Sequence, residues 1–306
     1  MTEFDAIGFG ALNMDKLFRV NRIAGAEEES FITGFEETCG GSAANTMVGL
    51  ARLGCRVGFI GKLGDDREGR LLLEDFHREN VDTAGIRTVK QGRSGIVMGF
   101  VGEKGERALY IDAGANDEVT LNKADLAYAS KTKFLHLTSF VGAESFESQK
   151  RLVEELHSSV NVGLDPGMLY ARRGLAALNS IIERTFVLMP NVGELELLTG
   201  MTNYRAGAKT LLDRGVEIVA VKLGAKGCYV TDGKEDFLTE AFKVKVVDTT
   251  GAGDAFNAGF LYGLIHSKSL MDCAKLGNFV ASRCVMKMGA RTGLPGIIHL
   301  QKAGLC

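Results

Sequence analysis

The sequence predicts an α/β protein: a mainly parallel sheet covered on both faces by helices, with a small antiparallel β lid beside it. Three observations predict it. Short β-branched runs alternate with amphipathic helical stretches, the pattern of a parallel sheet buried between helices. Two segments break that rhythm and carry strand character only. Glycine supplies 39 of the 306 residues, against 3 prolines, well above the usual ~7%. Such a chain has many tight turns and close backbone approaches.

Taken in order, the candidate strands are AIGFGAL from Ala6, VGFIGKL from Val57, KFLHLTS from Lys133, NVGLDP from Asn161, TFVLMPN from Thr185 and EIVAVKLG from Glu217. Between them lie stretches such as DDREGRLLLEDFHREN, residues 65–80, where Leu72, Leu73, Phe76 and Asn80 recur at helical spacing. Segments 16–41 and 94–116 have no helical period and read as hairpins, the second turning at Glu103, Lys104 and Gly105. Hairpins inserted into such a sheet suit a lid, which excludes water during reaction; an edge sheet without that role reads equally well. With no linker and no internal repeat, residues 1–306 read as a single α/β domain with lid hairpins inserted at about 15–40 and 93–115. Ligands of open α/β sheets sit outside the carboxyl ends of the strands, so functional motifs are expected just after them.

Composition narrows the function. With 45% hydrophobic and 24% charged residues the chain can bury a full core. A formal net charge of −2 gives no electrostatic reason for a nucleic-acid or membrane partner. Six cysteines (Cys39, Cys55, Cys228, Cys273, Cys284, Cys306) are scattered with neither a CxxC pair nor zinc spacing, as in a reduced cytoplasmic protein. The start MTEFDAIGF is acidic where a signal peptide would be basic. A soluble, cytoplasmic protein is expected.

The stretch VVDTTGAGDAFNAGF, residues 246–260, carries the chemistry. DAFNAGFLYGLI places Phe256, Phe260 and Leu264 on one helix face, with small Gly259 and Gly263 where another element can approach. The first turn of that helix offers free backbone N–H groups and the positive end of the dipole, an anion site. Gly251, Ala252 and Gly253 leave it open. Asp254 then stands beside the anion, placed to take a proton from a hydroxyl as it attacks phosphorus. An isolated aspartate at a helix start is usually a capping residue; the bare cradle and the second acid, Asp248, favour catalysis. No GxxxxGK[ST] is present, which excludes a P-loop enzyme. GFGALN, from Gly8, opens like a dinucleotide fingerprint, but Asn13 replaces the third glycine and a hairpin follows.

Four features then coincide: DTTGAGDAFNAGFL; GGSAANTMVGLARLG from Gly40; NVGE, Asn191 to Glu194, after the strand FVLMP; and GALNMD, with Asn13 and Asp15, at the end of the first strand. Together they resemble the ribokinase-like (PfkB) family of carbohydrate kinases, across nearly the whole chain. The resemblance implies a three-layer sandwich with a small β lid, and transfer of the γ-phosphate of ATP to a sugar hydroxyl with Mg²⁺. It makes Asp254 the general base and Gly251, Ala252 and Gly253 the anion hole. Asn13, Asp15, Gly40, Gly41 and Asn45 would bind sugar hydroxyls, although turn formation after a strand explains Asn13 and Asp15 as well. Asn191 and Glu194 would organise Mg²⁺, Glu194 through water; the same pair reads as a capping box. Lys222, Gly224 and Gly227 resemble the nucleotide-contacting turn and Asn278 the adenine-side helix, although a lysine ending a strand is commonly a solvated charge. Asp248 and Thr250 sit where many members place a monovalent-cation site, completed by carbonyls around Cys284, Lys287 and Gly289. Ribokinases commonly add a serine where this chain has Gly293, which leaves K⁺ activation open. Met47 stands where the family signature expects a small residue, so altered helix packing is expected.

The acceptor is the open point. ALYIDAGAN, from Ala108, is close to the ribokinase pattern and favours a ribose-like sugar. Phe18, Phe31, Phe35, Met98 and Phe100 could cover a nucleoside base or merely pack the hairpins. Arg19, Arg22, Arg93 and Arg107 could clamp a sugar phosphate or face water. A sugar- or nucleotide-binding regulator without turnover is the non-enzymatic alternative. A homodimer through the lid would cover exposed strand edges.

Overall fold

A computed structural model describes residues 2–103 and 106–305. Thirteen strands follow in chain order: β1 (Phe4–Phe9), β2 (Asn13–Val20), β3 (Ile32–Gly40), β4 (Val57–Gly64), β5 (Val81–Val89), β6 (Gly95–Val101), β7 (Arg107–Asp112), β8 (Thr132–Thr138), β9 (Asn161–Asp165), β10 (Thr185–Leu188), β11 (Ile218–Lys222), β12 (Cys228–Thr231) and β13 (Asp236–Thr239). The helices are α1 (Ser42–Arg52), α2 (Arg67–Arg78), α3 (Lys123–Ala129), α4 (Ala143–Glu155), α5 (Gly167–Ala177), α6 (Asn179–Ile182), α7 (Val192–Thr199), α8 (Tyr204–Leu212), α9 (Ala252–Ile265), α10 (Leu270–Cys284) and α11 (Ile297–Lys302).

Nine strands form one sheet in the order β13-β12-β11-β10-β9-β8-β1-β4-β5, parallel except at the β12 and β13 edge. Each of the six strands expected from sequence lies in it. Two buried apolar clusters cover its faces, one built around α1, α9 and α10, the other around α4, α5 and α8. The nearly all-buried α9 is apolar right round, as a helix between a sheet and another helix must be. Its small face meets α10: a Cβ on Gly259 would lie 2.5 Å from the Leu276 carbonyl, and one on Gly263 2.7 Å from Cys273 Sγ. Helix α2 buries Leu72 and Phe76 as expected, but Asn80 lies beyond its end, exposed, at φ 57. Met47 is fully buried against Gly8, where a Cβ would stand 2.7 Å from its Cγ.

The second sheet has the order β3-β2-β6-β7. Each hairpin is antiparallel, as expected, and the two join through a parallel β2–β6 pairing. Of the turn expected at 103–105, Lys104 and Gly105 lie outside the described residues, as does Cys306. The register assigns the faces, because residues on one rung point the same way and alternate rungs oppositely. Asn13, Asp15, Leu17 and Arg19 share one face with Val97, Val101, Arg107, Leu109 and Ile111. Phe18, Phe35, Met98, Phe100 and Tyr110 lie on the other, where Phe18 stacks on Phe100 at 5.1 Å. Phe18, Phe35, Met98 and Phe100, considered as cover for a base, thus turn away from Asp15; Phe31 precedes β3 and lies outside the register. Among the described residues no helix is long and apolar enough to cross a membrane.

Candidate active site

The functional side chains collect at the carboxyl ends of β1, β8, β9, β10 and β11, where strand order rather than chain proximity brings them together. Asp254 is on the first turn of α9, whose N-cap is Gly251. Its carboxylate does not cap that helix. Oδ1 accepts from the Ser42 hydroxyl at 2.5 Å and Oδ2 from Asn45 Nδ2 at 2.8 Å, both on α1. Gly41 makes this meeting possible: at φ 103 it turns the chain into α1, and a Cβ there would lie 2.2 Å from the Ala11 carbonyl oxygen. Burial pushes Asp254 up to about 6, against the Ser42 and Asn45 hydrogen bonds.

The cradle residues divide into two jobs. Gly251 sits in the left-handed region, φ 74, and a Cβ there would stand 2.5 Å from that of Ala290, so glycine is needed for packing. A Cβ on Gly253 would instead face Lys222 Nζ at 3.4 Å, inside the cleft. The Ala252 N–H already donates to the Thr249 carbonyl at 3.2 Å. Among the described residues no acceptor takes the N–H of Gly251, Gly253 or Asp254, so three amides at the start of α9 stay open.

On the acceptor side, Asn116 Nδ2 donates to Asn13 Oδ1 at 2.9 Å and to the Leu12 carbonyl, fixing the β1–β2 turn. Asp15 lies against bare Gly40, where a Cβ would come within 2.1 Å of its Oδ2. Burial pushes Asp15 up to about 7; Arg291 and Arg107 pull it down and Asp254 adds to the rise. Asn45 is engaged at both ends, since its Oδ1 accepts from Arg291 Nε at 2.7 Å. Arg291 also pairs with Asp75 and donates to the Gly40 carbonyl at 3.3 Å.

Across the cleft, Lys222 is no solvated charge. Its Nζ lies 2.7 Å from Asp165 Oδ2, which also accepts from Asn257 Nδ2 at 2.6 Å. Asn191 and Glu194 form the expected capping box at the start of α7, with bonds of 2.9 and 2.8 Å. Burial, then the charge of Asp165, pushes Glu194 up to about 7. His136 is fully buried beside this network with neither ring nitrogen partnered, and burial holds it neutral, near 4. Gly224, Gly227 and Asn278 line the same cleft, of about 680 Å³, with Asp165, Asn191, Glu194, Lys222 and Asp254. The Asn278 amide is committed to the backbone of Thr239 and Glu240, at 3.2 and 3.1 Å. Asp248 accepts from the amide and hydroxyl of Thr250 and from the Gly289 amide. The Cys284 thiol points at the carbonyls of Ala290 and Thr250, at 3.3 and 3.7 Å. At Gly293 a Cβ would stand 2.4 Å from the Cys284 carbonyl oxygen, so the serine of ribokinases has no room.

Ser42, Asp165, Asn257, Asn116 and Arg291 escaped the sequence reading. Four had a signal. Ser42 lies inside GGSAAN and Asn257 inside DAFNAGF, Asn116 ends ALYIDAGAN, and Asp165 ends a strand of the buried sheet. Arg291 had none, because nothing local marks an arginine that reaches across to α1.

The family model for pfkB family carbohydrate kinases matches residues 5–297. The chain belongs to the PfkB family. This PfkB kinase is 49% identical over 251 residues to an uncharacterized sugar kinase of Archaeoglobus fulgidus, covering 81% of this chain and 98% of that one. It is 31% identical over 283 residues to an ATP-dependent ribose-1-phosphate kinase of Halopiger xanaduensis, covering 92% of each. The structure of Arabidopsis thaliana ribokinase complexed with ribose and ATP superposes with TM-score 0.88 at 25% identity, covering 99% of this chain and 98% of that one. The PfkB kinase is thus an ATP-dependent carbohydrate kinase with the ribokinase fold.

Proposed function

We propose that this kinase transfers the γ-phosphate of ATP to a hydroxyl of a small ribose-like carbohydrate, with Asp254 as general base. The observation that carries this reading is the position of Asp254. It is held by α1, acts electrostatically on Asp15, and adjoins the open amides of Gly253 and of its own backbone. A carboxylate near 6 is ionised at neutral pH yet more basic than an ordinary aspartate. The hydroxyl proton passes to Asp254 as the sugar oxygen attacks phosphorus. The amides of residues 253–254 and the Lys222 ammonium take up charge on the transferring group. Asn13 and Asp15 orient the sugar, and the four-stranded sheet serves as a lid that keeps water out.

The residues present fit Mg²⁺. Glu194 and Asp165 are buried carboxylates whose mutual repulsion a divalent cation would relieve. Among the described residues no set of three or more His, Cys, Asp and Glu could hold a metal, so the ion would lean on phosphates and water, as Mg²⁺ does. When bound there, Mg²⁺ would supply positive charge that offsets the negative charge of the phosphates. Asn191 positions Glu194 through the capping box; Lys222, Gly224, Gly227 and Asn278 line the nucleotide end. The carbonyls of Thr250 and Ala290 near Cys284, with Asp248, suit a weakly held monovalent cation such as K⁺. The test is ADP release with ATP and Mg²⁺ against ribose, nucleosides and sugar phosphates, with and without K⁺. Turnover confined to nucleosides, or none with any acceptor, overturns this reading.

A further inference from the structure

Of the four lid arginines that could reach an acceptor, three are taken. Arg19 pairs with Glu36 at 2.7 Å, Arg93 with Asp112 at 3.1 Å, and Arg22 with Glu28. Arg107 makes no ion pair and no side-chain hydrogen bond among the described residues. The register sets it on the same face as Asp15: Arg107 pairs Val101, Val101 pairs Arg19, and Asp15 lies two alternating rungs along β2. Exposed Leu109 and Ile111 stand on that face of β7 between them. Lys222 is committed to Asp165, and Arg291 to Asp75, Asn45 and the Gly40 carbonyl, while Lys243 lines the cleft beside Phe242 and Val244. Arg107 also bears electrostatically on both Asp15 and Asp248, behind burial and nearer partners, which puts its charge over the cleft.

A neutral sugar gives that guanidinium no charged partner. An anionic substituent could not sit beside Asp15 and Asp254, but it could at the far end of the acceptor, where Arg107 projects. A guanidinium fork matches phosphate and carboxylate alike. We propose that Arg107 grips an anionic group on the acceptor, so that the substrate class is a phosphorylated or acidic sugar. This rests on the reading above, that the cleft phosphorylates a sugar hydroxyl.

The test compares wild type, Arg107→Ala and Arg107→Lys, each with ATP and Mg²⁺, on ribose, ribose 1-phosphate, ribose 5-phosphate and gluconate. Circular dichroism confirms that the variants fold. Wild type should prefer at least one anionic acceptor, and which one separates phosphate from carboxylate. Arg107→Ala should raise its KM roughly 10- to 100-fold and change the ribose kcat/KM far less, with Arg107→Lys in between. Ribose serving wild type as well as every anionic acceptor overturns the proposal and leaves the kinase reading intact. An equal loss of kcat for all acceptors in Arg107→Ala also overturns it, assigning the arginine to the transferring phosphate. No turnover with any acceptor sinks both.

Discussion

The Ser42 hydroxyl donates to Asp254 Oδ1 at 2.5 Å, joining residues 212 positions apart. It aims the carboxylate out of its own helix and across at α1, with Asn45 holding the other oxygen. The carboxylate therefore bonds α1 and does not cap its own helix.

Asp254→Asn keeps the shape and removes the base. kcat should fall by about 10³ or more, with ATP affinity by calorimetry largely kept. Turnover near the wild-type rate would remove Asp254 from the mechanism.

With Asp254 near 6, kcat should fall as pH drops below about 6. The Ser42 hydrogen bond favours the ionised form, so Ser42→Ala should shift that acid limb to higher pH. A limb that stays in place, with kcat merely scaled, would assign Ser42 to packing.

Stability should respond as well. Asp254 is raised from 3.8 to about 6, and a raised carboxyl contributes stability that is full below about 4 and lost as pH rises through about 6. Asp254→Asn relieves that loss. Its Tm advantage over wild type should be small at pH 3, pass half its full size near pH 5 and be complete by pH 8, worth on the order of 1–3 kcal/mol.

Two alanine substitutions should separate packing from access. Gly251→Ala meets Ala290 at 2.5 Å in a left-handed backbone and should lower Tm. Gly253→Ala meets only Lys222 Nζ at 3.4 Å, so it should keep Tm and lose kcat by crowding the phosphate.

The aromatic face of the lid leaves Phe35 and Tyr110 53% and 59% exposed. Such a face fits a C₂ pairing of two lids. Light scattering should give a homodimer that Phe100→Glu converts to monomer, while a wild-type monomer would refute the pairing.

Much of this architecture was legible because its signals are local. Hydrophobic patterning located six of the nine strands of the large sheet and both hairpins, and missed β5, β12 and β13. The pair Asn191 and Glu194 announced its capping box, and DTTGAGD its helix start. Neighbouring residues set such features, so neighbours suffice to read them. Strand facing was harder: Phe18 and Phe100 could cover a base or pack the hairpins until the register set them on the face opposite Asp15.

The sequence by itself determined the fold class, the family and the segments that bear the site. Tertiary structure decided the partners: Ser42 for Asp254, Asp165 for Lys222, Arg291 for Asn45, and, among the described residues, none for Arg107. Which side chains meet depends on strand order and on the face each rung presents, and a chain folds those distant segments together only when the whole sheet is laid down.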